Sequence, residues 1–221
     1  MTTLALFDLD HTLLSGDSDV LWCEWLMREG LLERASFEPR NAEMEARYRA
    51  GTVSAFDFCS FYVSTLAGRT LAQWEPLRRR FLAEEIVPRI PDAAREQVRQ
   101  HQAAGHLLVM TTATNRVLTE LTAAHLGFEH LIATDCELGP DGRCTGRVAG
   151  EPNMREGKLV RLHAWLDARG LALATLDSVA YSDSINDAPL LSAARRAVAV
   201  DPDPRLAALA AERGWEVLRW R

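Results

Sequence analysis

Asp8-Leu9-Asp10 sets two carboxylates at alternate positions directly behind the apolar run Leu4-Ala5-Leu6-Phe7. Alternate residues of a strand point the same way, so both acids can serve one site. Two acids that close repel each other unless a cation or a shared proton relieves them. Mg²⁺ is the natural relief, a hard cation satisfied by carboxylates, waters and phosphate oxygens. Asp-x-Asp alone is also an ordinary loop or helix-cap pattern, so its weight rests on what other strand ends bring to it.

Three further segments bring complementary chemistry. Leu107 to Met110 leads into Thr111-Thr112-Ala113-Thr114-Asn115, which is either a plain N-cap or an anion cradle in which hydroxyls and backbone N–H groups hold phosphate oxygens. Arg155-Glu156-Gly157-Lys158 opens a helical pattern with the only lysine of the chain. A compact ammonium charge suits a phosphoryl group where bidentate geometry is not needed. Tyr181-Ser182-Asp183-Ser184-Ile185-Asn186-Asp187 follows another apolar run and carries two acids four residues apart. Ser182, Asp183 and Ser184 are good helix caps, and capping and metal binding can coexist there.

The elements that must position these groups alternate. Short apolar runs at Leu4–Phe7, Leu107–Met110, Leu131–Ala133, Ser178–Tyr181 and Ala197–Val200 read as strands covered on both faces. Between them, residues 92–104, 115–125, 156–169 and 204–213 have helical spacing and end at Gly105, Gly127, Gly170 and Gly214. That rhythm predicts an α/β fold, a doubly wound parallel sheet with helices on both faces, whose ligands bind beyond the carboxyl ends of the strands. Leu138 to Gly150 reads as a hairpin turning at Pro140-Asp141-Gly142. Residues 16–89 break the rhythm with helix-like segments such as Asp19–Arg28 and Leu71–Ala83, and predict a helical insertion with its own small core. The expected organisation is a catalytic core over residues 1–15 and 90–221, with a helical cap over 16–89.

Composition narrows the classes. At 221 residues with 48% hydrophobic and 25% charged side chains the chain can bury a core without disulfides. A net charge of −6 without a dense Lys/Arg run argues against a nucleic-acid partner. No apolar stretch approaches the roughly 18 residues of a membrane span, so no membrane partner and a cytoplasmic location are expected. Cys23, Cys59, Cys136 and Cys144 form no C-x-x-C pair and read as free thiols, and the histidines lack zinc-site spacing. Oligomeric state leaves no mark in the sequence.

Taken jointly, Asp8-Leu9-Asp10-His11-Thr12, Thr112, Lys158 and Asp183 to Asp187 resemble, in order and spacing, the four motifs of the haloacid dehalogenase superfamily. The insertion after the first motif is similar to the helical C1-type cap of its phosphoserine phosphatase-like branch, subfamily IB. The resemblance implies that Asp8 is a nucleophile forming an aspartyl phosphate, and that Asp10 is the general acid, then the general base. It implies that Thr112 and Lys158 hold the phosphoryl oxygens; Thr111 is the other candidate for that hydroxyl. Asp8, the backbone carbonyl of Asp10, and Asp183 would bind Mg²⁺, with Asp187 either a further ligand or one bond removed. Ser182 and Ser184 stand where many relatives carry glycine, and His11 where phosphoserine phosphatases often have serine; these departures bear on the substrate rather than the chemistry.

The expected activity is hydrolysis of a small phosphorylated metabolite, with phosphoserine and histidinol phosphate as candidate substrates. Phosphotransfer to another acceptor on the same intermediate, and a catalytically retired metal- or phosphate-binding regulatory domain, are the alternatives. A carboxylate facing a phosphate dianion at about 4 Å is repelled by roughly 8 kcal/mol at an effective dielectric near 20, so attack by Asp8 needs the cations. Asp17, Asp19 and Glu24 follow the first motif closely and are candidates for a substrate amine; Arg47, Arg49 and Arg69 are candidates for a carboxylate. Trp22, Trp25 and Trp74 read as insert core, with an aromatic wall for an imidazole or other ring as the sharper alternative.

Overall fold

The computed structural model describes residues 3–50 and 52–221, apart from the Arg49 side chain. Among the described residues one seven-stranded sheet organises the chain, built from β1 (Thr3–Phe7), β2 (Leu107–Asn115), β3 (His130–Leu138), β4 (Cys144–Ala149), β5 (Asp177–Ser182), β6 (Arg196–Val200) and β7 (Glu216–Leu218) in the order β4-β3-β2-β1-β5-β6-β7. All pairings are parallel except β3 with β4, the expected hairpin. Strand β7 had no clear apolar signature; it pairs with β6 at the sheet edge, where one face stays wet.

Strand order reverses at β1. The chain lays strands outward from it on the β2 side, then returns to build out on the β5 side, which opens a crevice at the carboxyl end of β1. Phe7 is level with Met110 on β2 and Tyr181 on β5, so the residues just beyond all three meet at that crevice.

The helices are α1 (Ser18–Arg28), α2 (Arg34–Arg49), α3 (Ala55–Val63), α4 (Leu71–Phe81), α5 (Asp92–Ala103), α6 (Arg116–Leu126), α7 (Glu156–Asp167), α8 (Ala188–Ala193) and α9 (Pro204–Arg213). Strand β1 shows why both faces are covered. Leu4 and Leu6 pack in one cluster with Leu162, Leu166 and Leu206, while Ala5 and Phe7 face the other way and pack with Val98 and Met110.

That second cluster continues without a break into the insertion. Trp22, Trp25, Trp74 and Phe81 belong to it together with Phe7, Leu9 and Met110. Trp22 stacks on Trp25 with centroids 5.5 Å apart and meets Phe81 edge to face at 5.0 Å. The separate small core expected for residues 16–89 is therefore replaced by one shared core; each buried aromatic contributes about 1.5–3 kcal/mol toward holding the insertion on the sheet.

Candidate active site

Asp8 is the first residue past β1, and its amide donates to the Tyr181 carbonyl at 3.0 Å, extending the sheet by one bond. Its carboxylate is buried and held from two sides. Lys158 Nζ donates to Oδ1 at 2.6 Å, and the Thr12 hydroxyl lies 3.0 Å from Oδ2. The same hydroxyl lies 3.1 Å from Asp183 Oδ1 and accepts from the Asp183 amide at 3.0 Å. Thr12 thus joins the loops after β1 and β5. It occupies a tight turn in which His11 adopts a left-handed φ of 56°.

Lys158 reaches Asp8 from the first turn of α7. A Cβ on Gly157 would collide with the Pro152 carbonyl oxygen, so the helix start comes this close only with glycine there. The ammonium also donates to Asp187 Oδ2 at 2.6 Å, and Ser182 Oγ donates to that oxygen at 2.7 Å. Both bonds fall on Asp187 Oδ2, and through that oxygen Asp187 fixes Lys158 and Ser182.

Asp10 lies beside this group. Its Oδ1 accepts the Ser18 amide at 2.6 Å, and Oδ2 accepts the hydroxyls of Thr112 at 3.2 Å and Thr114 at 2.8 Å. Thr112 and Thr114 alternate along β2 and so face one side. Thr111 points the other way and takes Asn153 Nδ2 at 3.0 Å, which identifies Thr112 as the hydroxyl facing the site. The hydroxyl-rich segment is the end of a strand, not a turn: β2 runs through Asn115, which then caps α6 by accepting the Leu118 amide.

Asp17 caps α1, its Oδ1 accepting the amides of Asp19 and Val20. Asp19 is buried; its Oδ1 accepts from Asn115 Nδ2 at 3.3 Å, and its Oδ2 lies 3.2 Å from the Thr114 hydroxyl, whose one proton it shares with Asp10. Both line a cleft of about 630 Å³ together with Asp8, Asp10, Lys158 and Asp183. Glu24 is exposed elsewhere on α1 and does not line the cleft, so the structure does not bring it to the site. Trp22, Trp25 and Trp74 are buried in the core, as expected. Arg69 lies over the Trp74 ring at 4.7 Å, Arg47 is exposed, and the Arg49 side chain lies outside the described residues.

Negative charge dominates the cleft. Burial pushes the Asp8 carboxyl up to about 7; Lys158 opposes the shift and Asp187 and Asp10 add to it. Burial also lifts Asp183 to about 8, helped by Asp8 and Asp187, and Asp17 to about 7, helped by Asp10. Asp19 is raised well above the usual carboxylate range by burial and by Asp17. Burial alone would lower the Lys158 ammonium, but the carboxylates of Asp187 and Asp8 outweigh it and hold its pKa raised. Of the cationic side chains that line the cleft, Arg155, Arg205 and Lys158, it is Lys158 that pairs with Asp8, and the acids Asp8, Asp10, Asp17, Asp19, Asp183 and Asp187 still outnumber the three, which favours a further cation.

Several residues of the site carry little sequence signal. Thr12, Thr114 and Ser182 lie inside the motif segments read from the sequence, which assign them no contact with Asp8, Asp10 or Asp187, and Ser18 lies in no motif. Tyr48 and Phe58, which also line the cleft, come from helices of the insertion and have no motif at all.

Residues 5–192 match the family model described as haloacid dehalogenase-like hydrolase. A protein named histidinol-phosphatase from Neisseria meningitidis serogroup C (strain 8013) is 37% identical over 222 residues, covering 100% of both chains. Phosphoserine phosphatase SerB1 of Mycobacterium tuberculosis (strain ATCC 25618 / H37Rv) is 34% identical over 231 residues, covering 100% of this chain and 72% of that protein. The crystal structure of a protein of unknown function from Bordetella pertussis Tohama I matches with a TM-score of 0.93 at 43% identity, covering 99% of this chain and 98% of that one.

Proposed function

The chain belongs to the haloacid dehalogenase-like hydrolases and is a phosphoric monoester hydrolase; from that premise we propose that it cleaves a small phosphorylated metabolite through an aspartyl phosphate on Asp8. The observation that carries this reading is the buried Asp8 carboxylate at the cleft, with one oxygen on Lys158 and the other on the Thr12 hydroxyl shared with Asp183. Phosphoserine and histidinol phosphate are the candidate substrates.

In the first step an Asp8 oxygen bonds to phosphorus as the ester oxygen leaves, and Asp10 delivers a proton to that leaving alkoxide. In the second, Asp10 takes a proton from water, whose oxygen attacks phosphorus and frees Asp8 with inorganic phosphate. Three hydrogen bonds on Asp10, from Ser18, Thr112 and Thr114, keep its carboxyl in one orientation for both roles. Lys158 holds the phosphoryl oxygens, joined by Thr112 when its single hydroxyl proton turns from Asp10 to them.

The residues present fit Mg²⁺. Asp8 Oδ2 and Asp183 Oδ1 meet on a single hydroxyl whose one proton cannot serve both, so two hard carboxyl oxygen donors converge on one point, and a cation there would favour their ionised forms. Among the described residues no three His, Cys, Asp or Glu side chains form a cage, but Mg²⁺ is usually held by one or two carboxylates, waters and substrate phosphate. Asp8, Asp183 and the Asp10 carbonyl would hold it, with Asp187 acting through Lys158 and Ser182. Bound there, Mg²⁺ supplies positive charge to the phosphoryl oxygens.

Residues 16–89 would act as the cap over a catalytic core of residues 1–15 and 90–221, limiting water at the phosphorylated aspartate. No described helix is long and apolar enough to cross a membrane.

The test is hydrolysis of an aryl phosphate with and without EDTA, followed by a screen of phosphorylated metabolites in Mg²⁺. Turnover that EDTA abolishes and Mg²⁺ restores supports the proposal. Undiminished turnover in EDTA contradicts the Mg²⁺ part of it, and no hydrolysis of any phosphomonoester contradicts the whole.

A further inference from the structure

With the three tryptophans in the core, the aromatic side chains that reach the cleft are different ones. Tyr48, from the last turn of α2, and Phe58, from α3, both line it, with ring centroids 4.5 Å apart and planes tilted by 30°. Each ring is only half-buried, so part of its surface has no protein partner.

The pair is braced from both sides. Behind it, Phe58 meets Tyr62 edge to face at 5.2 Å, and the Tyr62 hydroxyl donates to Asn41 Oδ1 at 3.1 Å. In front, Asn186 Nδ2 donates to the Tyr48 hydroxyl oxygen, while Arg155 Nε donates to Asn186 Oδ1 at 3.3 Å. Asn186 sits between Asp183 and Asp187, so the phenol is tied to the loop that carries two acids of the site. Arg155 has a left-handed φ of 54°, uncommon for a residue with a side chain, and it lines the same cleft. An aromatic pair pinned in this way, at a fixed offset from Asp8, has the rigidity of a recognition surface.

The rest of the lining points to what such a surface would read. Ala113 and Met154 add apolar area, and Asp17 and Asp19 add carboxylates. Asp17 Oδ2 takes no hydrogen-bond partner among the described residues. A flat ring can stack on Phe58 and Tyr48 while its N–H groups, or its positive charge, face these acids. An acyclic alcohol gains no stacking on this pair, and a carboxylate on it would meet the guanidinium groups of Arg155 and Arg205 as well as Asp17 and Asp19, so the rings carry the discrimination.

Resting on the phosphomonoesterase reading of this cleft, we propose that Tyr48 and Phe58 are its specificity-determining pair, selecting a phosphomonoester whose alcohol carries a flat nitrogen-bearing ring over an acyclic, carboxylate-bearing one.

The experiment compares kcat/KM for histidinol phosphate and O-phosphoserine in Mg²⁺ across the wild type, Phe58→Ala, Tyr48→Leu, Phe58→Trp and Tyr48→Phe. The wild type is expected to prefer the ring-bearing substrate by about tenfold or more. Phe58→Ala and Tyr48→Leu should each shrink that ratio about threefold to tenfold, mainly through KM, the range expected for one lost aromatic contact. Phe58→Trp and Tyr48→Phe, which keep a ring in place, should hold the ratio. A wild-type preference for O-phosphoserine, or variants that slow both substrates equally, overturns the proposal. If no phosphomonoester is hydrolysed at all, the phosphatase reading fails, and calorimetric titration with the alcohols histidinol and serine still decides the subsite. Histidinol binding that weakens in Phe58→Ala upholds the aromatic pair; equal binding of both alcohols, or of neither, overturns it.

Discussion

Lys158 Nζ lies 2.6 Å from Asp8 Oδ1 with both side chains buried, which makes one ammonium the internal counter-ion of the proposed nucleophile. The second contact, at the same distance to Asp187, completes a buried triad of two carboxylates and one cation. Taking charges out of water is expensive, so such a group holds together only while every member is present.

Replacing Lys158 should therefore damage stability as well as catalysis. Lys158→Met leaves Asp8 and Asp187 buried and unpaired, and we expect a loss of about 3–5 kcal/mol in chemical denaturation, with turnover reduced by orders of magnitude. Lys158→Met combined with Asp187→Asn should recover part of the stability and none of the activity. A Lys158→Met protein as stable as the wild type would contradict the triad.

The raised carboxyls give a pH dependence with a definite sign. Asp8 and Asp183, at about 7 and about 8, keep protons in the folded chain where an unfolded carboxyl near 4 has lost them. Their contribution to stability is fully present below that unfolded value and is lost as pH rises through 7 and 8. Buried His101, lowered to about 4, works in the opposite direction below its unfolded value near 6.5, so the window to examine lies above it. In EDTA the thermal midpoint should fall between about pH 6.5 and 8.5, and Asp183→Asn should flatten that slope. A midpoint that rises across this window would contradict the charge account.

The shared core predicts joint unfolding of insertion and sheet. Trp22, 1% exposed, packs in the same cluster as Phe7 and Met110, so Trp22→Ala should cost about 3–5 kcal/mol of the whole chain's stability. Calorimetry should show a single transition in both proteins, shifted downward in the variant. Two resolved transitions, with only one moved by the substitution, would mean that the insertion unfolds on its own.

Which parts of the site were legible in the sequence follows from how each residue is specified. Asp8 and Asp10 stand out because a buried strand has period two and ends at a defined edge of the sheet. Lys158 stands out because the chain has no other lysine. Glu24 shared only proximity in sequence with Asp19; five residues along a helix rotate a side chain by about 140°, and α1 carries it to the exposed side. Thr114 follows Thr112 on the same face of β2 by the period of two, whereas Ser18 reaches Asp10 through its backbone amide, which no local pattern encodes. Tyr48 and Phe58 are ten residues apart on two helices and become a pair only in the folded chain.

The proposed chemistry turns on Asp8. Rapid quenching of the enzyme with a phosphomonoester in Mg²⁺, followed by peptide mass spectrometry, should locate an acid-stable, hydroxylamine-labile phosphoryl group on the peptide bearing Asp8. It should accumulate in Asp10→Asn, whose second step lacks a base, and be absent from Asp8→Asn together with turnover. Wild-type turnover in Asp8→Asn, or a phosphoryl group on any other residue, would contradict it.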